Sequence, residues 1–505
     1  MSPHPATESS SLHRSKMFWV AVLYFSQGFP YAVFYDVFPV YFREHGVDLR
    51  DIGWVSLLGL AWTVKFLWAP AVDHYRHHRR WMFTVSVVMG TPMLALALQS
   101  GVGISVWTAI GVFALLSATN DIAIDGYTID MLDKDELGLA NGLRIGFYRV
   151  GMLAAGFFLI VADYVGWGPT YLGAAALVTC VGAFILLRAP RERMVERPHG
   201  VRLGTELRVL SRHPLAAGAV SAFLLGALGL TDRVMDWGQY VEGFWWYASA
   251  AAVLWIAASA VRHRRSSPDD RAALREGPMF GTLLDMLQRR YIVPVILFIL
   301  TFKLGDAAMG LMVKPFWVDA GFSLAQIGTI SVTLGIVLSI AGGIVGGWIT
   351  DRIGTFHALW LLGLFQAVSN LGYAWVAHVL PAAPGGHVPA PALGHVVMMY
   401  SASGLESFTG GLGTGAFLAF LMAIVNRRRS AAEYALLSSI FALSRSLAGW
   451  ASGYGAHWMG YSAYFLLTFF LSFPAYLLLP WVKGMLLDAM ARNSEGEDYS
   501  PESRS

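Results

Sequence analysis

Apolar stretches of membrane-spanning length, separated by short polar loops, follow one another along almost the whole chain. A helix crosses the hydrocarbon core of a bilayer with about 20 residues of low charge. The pattern predicts twelve strong spans and two weaker ones. The first six lie at roughly 17–42, 52–72, 80–99, 103–129, 137–163 and 167–187. The weaker pair is at about 215–230 and 243–261. The last six are at about 291–318, 323–350, 356–379, 392–424, 430–456 and 460–483.

The loops set an orientation. With the N-terminus inside, roughly 27 of the 36 Lys and Arg residues fall in inner loops, the asymmetry that marks the cytoplasmic side. Arg43, Arg50 and Arg233 fall outside. Both termini are therefore expected in the cytoplasm. The same rule supports the weaker spans as a pair, because both flanking linkers are basic and the link Thr231–Glu242 is net acidic. A re-entrant hairpin is the alternative. The expected organisation is a polar tail over 1–16, a six-helix bundle over 17–187, basic linkers with the inserted pair over 188–290, a second six-helix bundle over 291–483 and a polar tail over 484–505.

Composition agrees. Hydrophobic residues are 56% of the 505 and charged residues only 14%, against about 25% charged in soluble domains. The single cysteine, Cys180, excludes a disulfide framework or a Cys-based metal site within one chain. His74, His77 and His78 sit among arginines and read as a solvated basic loop, not a metal site. No metal is expected.

Charge inside the spans changes the picture most. Lys65, Arg144, Arg149, Lys303, Lys314 and Arg445 lie within apolar stretches, as do Asp36, Asp121, Asp125, Asp306 and Glu406. Each charge at mid-bilayer costs about 2.5–3.5 kcal/mol even on lenient insertion scales, so these residues need a protein interior or a watery cavity. Asp121 and Asp125 are four apart and share a helix face. Close carboxylates disfavour double ionisation, which suits proton carriage. The alternative is structural, an ion pair with Arg144 or Arg149 on the next span. Lys303 and Asp306 either neutralise each other over one turn or meet a substrate. Arg149 and Arg445 either bind a carboxylate or phosphate or form buried salt bridges. Asp36 and Glu406 are further proton-site candidates. Lys65 either snorkels to the interface or gates. Asp73, Asp130, Asp351 and Arg352, near inner span ends, are gating candidates. Gly410–Gly415 follows no strand, so it reads as close helix packing or a local break, not a dinucleotide loop.

The chain also repeats. Tyr41-Phe-Arg-Glu-His-Gly46 is echoed by Phe316-Trp-Val-Asp-Ala-Gly321, followed by Ile52-Gly53 and Ile327-Gly328. Phe147-Tyr-Arg149 through Gly156 is echoed by Leu443-Ser-Arg445 through Gly453. Two halves joined by a long basic linker match the layout of parallel-repeat transporters.

The repeated acid at the end of the second span, Asp73 in one half and Asp351-Arg352 in the other, resembles the major facilitator superfamily. A narrower resemblance lies in Lys65-Phe-Leu-Trp-Ala-Pro-Ala-Val-Asp73, similar to the K-F-L-W-[AS]-P-x-x-D signature of AmpG-type permeases and the related acetyl-CoA transporters. Asn120-Asp-Ile-Ala-Ile-Asp125, Lys303-Leu-Gly-Asp306-Ala, Gly410-Gly-Leu-Gly-Thr-Gly-Ala-Phe417 and Ala435-Leu-Leu-Ser438 resemble further segments of that group, in the same order. Gly126-Tyr127 after Asp125 is closer to the D-G-W of the acetyl-CoA branch, and Asp36 departs from the AmpG pattern.

The physics alone leads to an all-α integral membrane protein that carries a polar, partly anionic solute by alternating access. It has no expected cofactor beyond a proton gradient, no nucleic-acid partner, no enzyme activity and no identified protein partner. The resemblance implies a major facilitator fold, two six-helix bundles plus two central helices, in a bacterial inner membrane. It implies import of an anhydro-muropeptide for peptidoglycan recycling, or transport of acetyl-CoA or another anionic metabolite. A non-transporting membrane receptor is the alternative from a different class.

Overall fold

The computed structural model describes residues 15–65, 77–99, 101–132, 137–191, 243–265, 289–386, 388–425 and 430–497, with isolated positions between them such as Trp68, Val72 and His213. All regular elements among the described residues are helical, and 11 are long and apolar enough to cross a membrane. They run α1 (Lys16–Glu44), α2 (Leu49–Leu58), α3 (Leu60–Val64), α4 (His78–Ala97), α5 (Ile104–Met131), α6 (Leu137–Val165), α7 (Trp167–Arg188), α8 (Phe244–Arg265), α9 (Ile292–Asp319), α10 (Leu324–Ile353), α11 (Thr355–Val379), α12 (Leu393–Ile424), α13 (Ser430–Leu471) and α14 (Leu479–Glu497).

The expected spans map onto these helices with three differences. The second is split at Gly59 into α2 and α3, and its remainder falls largely outside the described residues. The last two share α13, which breaks at Gly460 (φ 73°, ψ 162°), a backbone setting open to glycine. Of the weaker pair, 243–261 is α8, whereas 215–230 lies mostly outside the described residues. The polar tail predicted from residue 484 needs correction, since α14 stays helical to Glu497. Val482, Met485, Leu486 and Ala489 are all buried. Their i, i+3, i+4, i+7 spacing gives a helix with one apolar face, which a composition-based reading passes over.

By internal contact the chain divides into two units, 1–195 with 300–419 and 441–476, and 196–299 with 420–440 and 477–505. In the second unit Phe298 packs edge-on against Phe420 at 5.3 Å and Arg289 Nη1 donates to the Ile424 carbonyl at 3.4 Å. The first unit holds the charged residues discussed below.

Within that first unit, glycine lets helix backbones touch. A methyl on Gly342 would lie 2.0 Å from the Phe408 carbonyl oxygen, and one on Gly411 2.3 Å from that of Ser339, so α10 and α12 pack without intervening side chains. This accounts for the Gly410–Gly415 run as close packing. The two sequence repeats meet in the same way at related positions. A methyl on Gly328 would lie 2.4 Å from the Gly156 carbonyl oxygen, joining α10 to α6. One on Gly453 would lie 2.3 Å from that of Leu49, joining α13 to α2.

Three helix irregularities position the charges. A π-helical segment at Val33–Val37 carries Asp36 in α1. A second, at Ile327–Leu334, opens α10. α9 is interrupted at Lys303, which leaves the helical region (φ −102°, ψ 12°). Such interruptions within apolar helices are frequent at functional positions.

Candidate functional site

A cavity of about 200 Å³ lies inside the first unit, lined by α1, α2, α9, α12 and α13. Its wall includes Tyr35, Asp36, Lys303, Asp306, Lys314, Glu406 and Arg445. Lys303 is almost wholly buried and its ammonium is saturated, donating to Asp306 Oδ2 at 3.1 Å, Gln366 Oε1 at 2.8 Å and the Gly410 carbonyl at 3.0 Å. Gly413 makes room for this arrangement, because a methyl there would lie 2.0 Å from Gln366 Oε1. Lys314 pairs with Asp36 at 3.4 Å. Arg445 Nη1 donates to Tyr31 Oη at 2.6 Å, with its guanidinium 6.0 Å from the Tyr35 ring and 5.8 Å from that of Phe441. The Glu406 carboxylate accepts from Ser407 Oγ at 3.3 Å and, among the described residues, has no other hydrogen bond and no ion pair.

A second charged cluster surrounds α5. Asp121 and Asp125 both face Lys65, at 3.5 and 3.8 Å. Asp125 also takes Arg144 at 3.3 Å and the Tyr24 hydroxyl at 2.9 Å, and Arg144 lies 4.7 Å over the Tyr24 ring. Two carboxylates are thus matched by two cations, with Asp121 the buried member and the other three partly exposed. Arg149 makes no hydrogen bond or ion pair with a described residue, but lies within electrostatic reach of Arg445, Tyr148, Tyr31 and Asp36. Beyond Asp125, the backbone of Gly126 packs on His78, where a methyl would come within 2.8 Å of the ring, and His78 meets Asp130 at 3.5 Å.

The far ends of α1 and α9 are clasped. Arg43 and Asp319 are both buried, at 5% and 1% exposure. Arg43 Nε lies 2.7 Å from Oδ1 and Nη2 2.6 Å from Oδ2, a two-pronged contact. Tyr461 Oη donates to Oδ2 at 2.7 Å, the Gly385 amide donates to Oδ1 at 3.1 Å, and Arg43 Nη1 donates to the Val47 carbonyl at 2.8 Å. Beside this clasp, Asp163 of α6 caps α10 by accepting from the Leu324 amide at 3.1 Å, and Asp48 meets His457 at 3.0 Å. Partial burial opposes the Asp48 charge, but hydrogen bonds from Arg50 and the nearby His457 outweigh it and hold its pKa below the usual carboxylate value.

The structure therefore gathers Asp36, Lys303, Asp306, Glu406 and Arg445 at one cavity, and Asp121, Asp125, Arg144 and Lys65 into one network. Lys65 turns to the α5 acids instead of snorkelling. Of the alternative partners for Asp125, the contact is made by Arg144 and not Arg149. Asp351 and Arg352 are exposed, with Arg352 4.2 Å over the Trp348 ring. Asp73 and His74 lie outside the described residues. The solvated-loop reading fails for His78, which is 2% exposed; its ring is held between Gly126 and Asp130. Sequence reasoning passed over Arg43 and Asp319, assigning Arg43 to an outer loop. A signal existed, since both sit in the echoed segments before Gly46 and Gly321 with opposite charge. Tyr24, Tyr31, Gln366 and Tyr461 carried none, being ordinary residues for apolar helices.

Residues 20–394 match the model of the Major Facilitator Superfamily. The chain is 27% identical over 469 residues to the anhydromuropeptide permease of Escherichia coli (strain K12), covering 91% of this chain and 78% of that protein. It is 22% identical over 480 residues to the putative transporter AmpG 4 of Rickettsia conorii, covering 92% and 96%. Among solved structures, the fold resembles the peptide transporter POT in complex with sulfate (TM-score 0.61, 12% identity, 93% and 95% covered). It also resembles the nucleoside transporter NupG (TM-score 0.57, 12% identity, 95% and 100% covered). The family match spans most of the chain and agrees with the helical, multi-pass architecture, so this protein is a membrane transporter, not an enzyme, and belongs to the Major Facilitator Superfamily.

Proposed function

We propose that this transporter imports an anhydro-muropeptide, or a closely similar anionic sugar–peptide, by proton-driven alternating access in a bacterial inner membrane. The observation that carries the reading is the charge of the central cavity, where both signs are available within one small volume. On its wall the Arg445 guanidinium is held by a neutral hydroxyl, that of Tyr31, and Glu406 has no ion pair among the described residues, while Arg149, outside the wall, lies within electrostatic reach of Arg445. A guanidinium suits a carboxylate through paired hydrogen bonds, and an unpaired intramembrane acid suits proton carriage. The resemblance to the E. coli permease over 91% of the chain supports the substrate class.

With both termini placed inside by the distribution of basic loops, the Arg43–Asp319 clasp and the Gly156–Gly328 and Leu49–Gly453 crossings lie on the outer side. The conformation is then closed outward. A cavity of about 200 Å³ is also smaller than the roughly 300–1,000 Å³ typical of ligand sites, so substrate entry requires these contacts to part.

The test is uptake of labelled anhydro-muropeptide by proteoliposomes with and without an inward proton gradient. Accumulation that depends on the gradient supports the reading. Absence of uptake by folded protein sinks the muropeptide assignment. Uptake of acetyl-CoA in the same vesicles would replace it with the second branch of the resemblance, which the Asp125-Gly126-Tyr127 segment favours.

A further inference from the structure

Asp306 and Glu406 flank the same methyl-sized gap. A Cβ built on Gly410 would lie 3.7 Å from Asp306 Oδ1 and 3.8 Å from Glu406 Oε1. The two carboxyl groups of Asp306 and Glu406 differ in how they are held. Asp306 Oδ2 accepts from Lys303, but Oδ1 is fully buried and accepts no hydrogen bond. Glu406 Oε2 has the weak Ser407 contact and no cation within ion-pair distance among the described residues. A buried carboxylate oxygen without a donor, as Asp306 Oδ1 is, is costly and calls for an explanation.

The surroundings do not supply one. From α9, Lys303 is saturated by three acceptors and Lys314 is paired with Asp36. From α13, Arg445 is engaged by Tyr31. From α11, Tyr373 faces Glu406 while its hydroxyl accepts from Trp317 Nε1 at 3.3 Å. Three acids, Asp36, Asp306 and Glu406, line the cavity with Lys303, Lys314 and Arg445; the lysines lie against the first two acids and Arg445 against the Tyr31 hydroxyl, so Glu406 is the acid with no cation in contact among the described residues. One added proton removes both faults. It neutralises the third acid, and it supplies a donor for the orphan oxygen.

We infer that Glu406 and Asp306 share one exchangeable proton across Gly410, and that this is the proton whose downhill movement drives uptake. Loading is a simple association: the Glu406 carboxylate takes a proton from water on the outer side, and its O–H donates toward Asp306 Oδ1, directly or through one water. Asp306 remains the anion because Lys303 lies against its other oxygen. Opening to the inner side rehydrates both acids and the proton leaves to water. The gap at Gly410 is what lets the two oxygens communicate. This assignment rests on the proton-driven reading proposed above.

The test compares wild type, Glu406→Gln, Asp306→Asn and Gly410→Ala. The first readout needs no substrate. The infrared carboxylic-acid band of the purified protein is titrated with pH; a titrating band is expected in wild type, lost in Glu406→Gln and displaced in Asp306→Asn. In Gly410→Ala the methyl fits at ordinary contact distance but excludes water between the acids, so the band's midpoint should move by at least half a pH unit. No titrating band assignable to Glu406 overturns the proposal. The second readout is the ratio of gradient-driven accumulation to equal-pH counterflow of labelled anhydro-muropeptide. Glu406→Gln should lower that ratio at least tenfold. An unchanged ratio, with both activities falling together, overturns the proposal by making Glu406 a substrate contact or a structural residue. Wild-type counterflow without any gradient-driven accumulation refutes the proton-driven reading itself, even where the titrating band is present.

Discussion

Asp319→Asn should push the transporter out of its present conformation. The carboxylate is 1% exposed and carries the Arg43 guanidinium, the Tyr461 hydroxyl and the Gly385 amide. Asparagine keeps the shape and one acceptor oxygen but removes the charge, leaving Arg43 buried without a counter-ion. Breaking a buried pair from one side costs about 3–5 kcal/mol. That cost falls only on the state in which α1 and α9 are clasped, because in the parted state Arg43 reaches water. At about 1.4 kcal/mol per tenfold, the balance between clasped and parted states should move by roughly two to three and a half powers of ten. The assay is the rate at which a membrane-impermeant maleimide labels Ala307→Cys on the cavity wall, with Cys180 replaced by serine. Labelling from the Arg43 side should accelerate by at least tenfold, short of the full shift if the parted state becomes the major one. Replacing both partners, as in Arg43→Met with Asp319→Leu, leaves no orphan charge and should return much of the clasped population. Labelling of folded Asp319→Asn within twofold of its parent would refute this account and make the clasp energetically idle.

Gly328→Val should accelerate the same labelling, since even a methyl there would lie 2.4 Å from the Gly156 carbonyl oxygen; Gly310→Ala, which meets nothing within 4 Å, is the control. Gln366→Ala removes an acceptor from a buried ammonium. It should cost about 1.5–3 kcal/mol, the worth of a hydrogen bond to a charged group, read as a lower midpoint of thermal unfolding in detergent. Asp125→Asn leaves Lys65 and Arg144 with one carboxylate between them and should abolish uptake while surface-independent membrane insertion stays normal; full uptake would exclude the α5 cluster from transport. Asp48 has a folded pKa below its unfolded value, so its contribution to stability is complete above about pH 4, the ordinary carboxylate range. It fades as pH falls through the depressed folded value, and Asp48→Asn should flatten the acid limb of a stability–pH curve below about pH 4.

Much of the architecture was legible in the residues. Apolar runs of bilayer length can satisfy their backbone only as helices, which is why the spans predicted at 103–129 and 356–379 reappear as α5 and α11. The Arg149–Arg445 and Gly46–Gly321 echoes reported the repeat. Intramembrane charges stood out by cost alone, and Asp36, Lys303, Asp306, Glu406 and Arg445 do share one cavity. Spacing along a helix also showed that Asp121 and Asp125 share a face.

Partner choice was not legible. Whether Asp125 meets Arg144 or Arg149, and that Arg43 finds Asp319 276 positions away, depends on which helices lie side by side and at what rotation. Local pattern is blind to both. The same holds for Gly410, whose sequence context announces close packing but not the two carboxylates on either side of it. The π-helical segment that carries Asp36 and the break at Lys303 were not among the features that the apolar pattern predicted. Sequence by itself determined which groups must be hidden from lipid; the tertiary structure decided which of them face one another, because the pairing of buried charges is settled by distances of a few ångströms between helices remote in the chain.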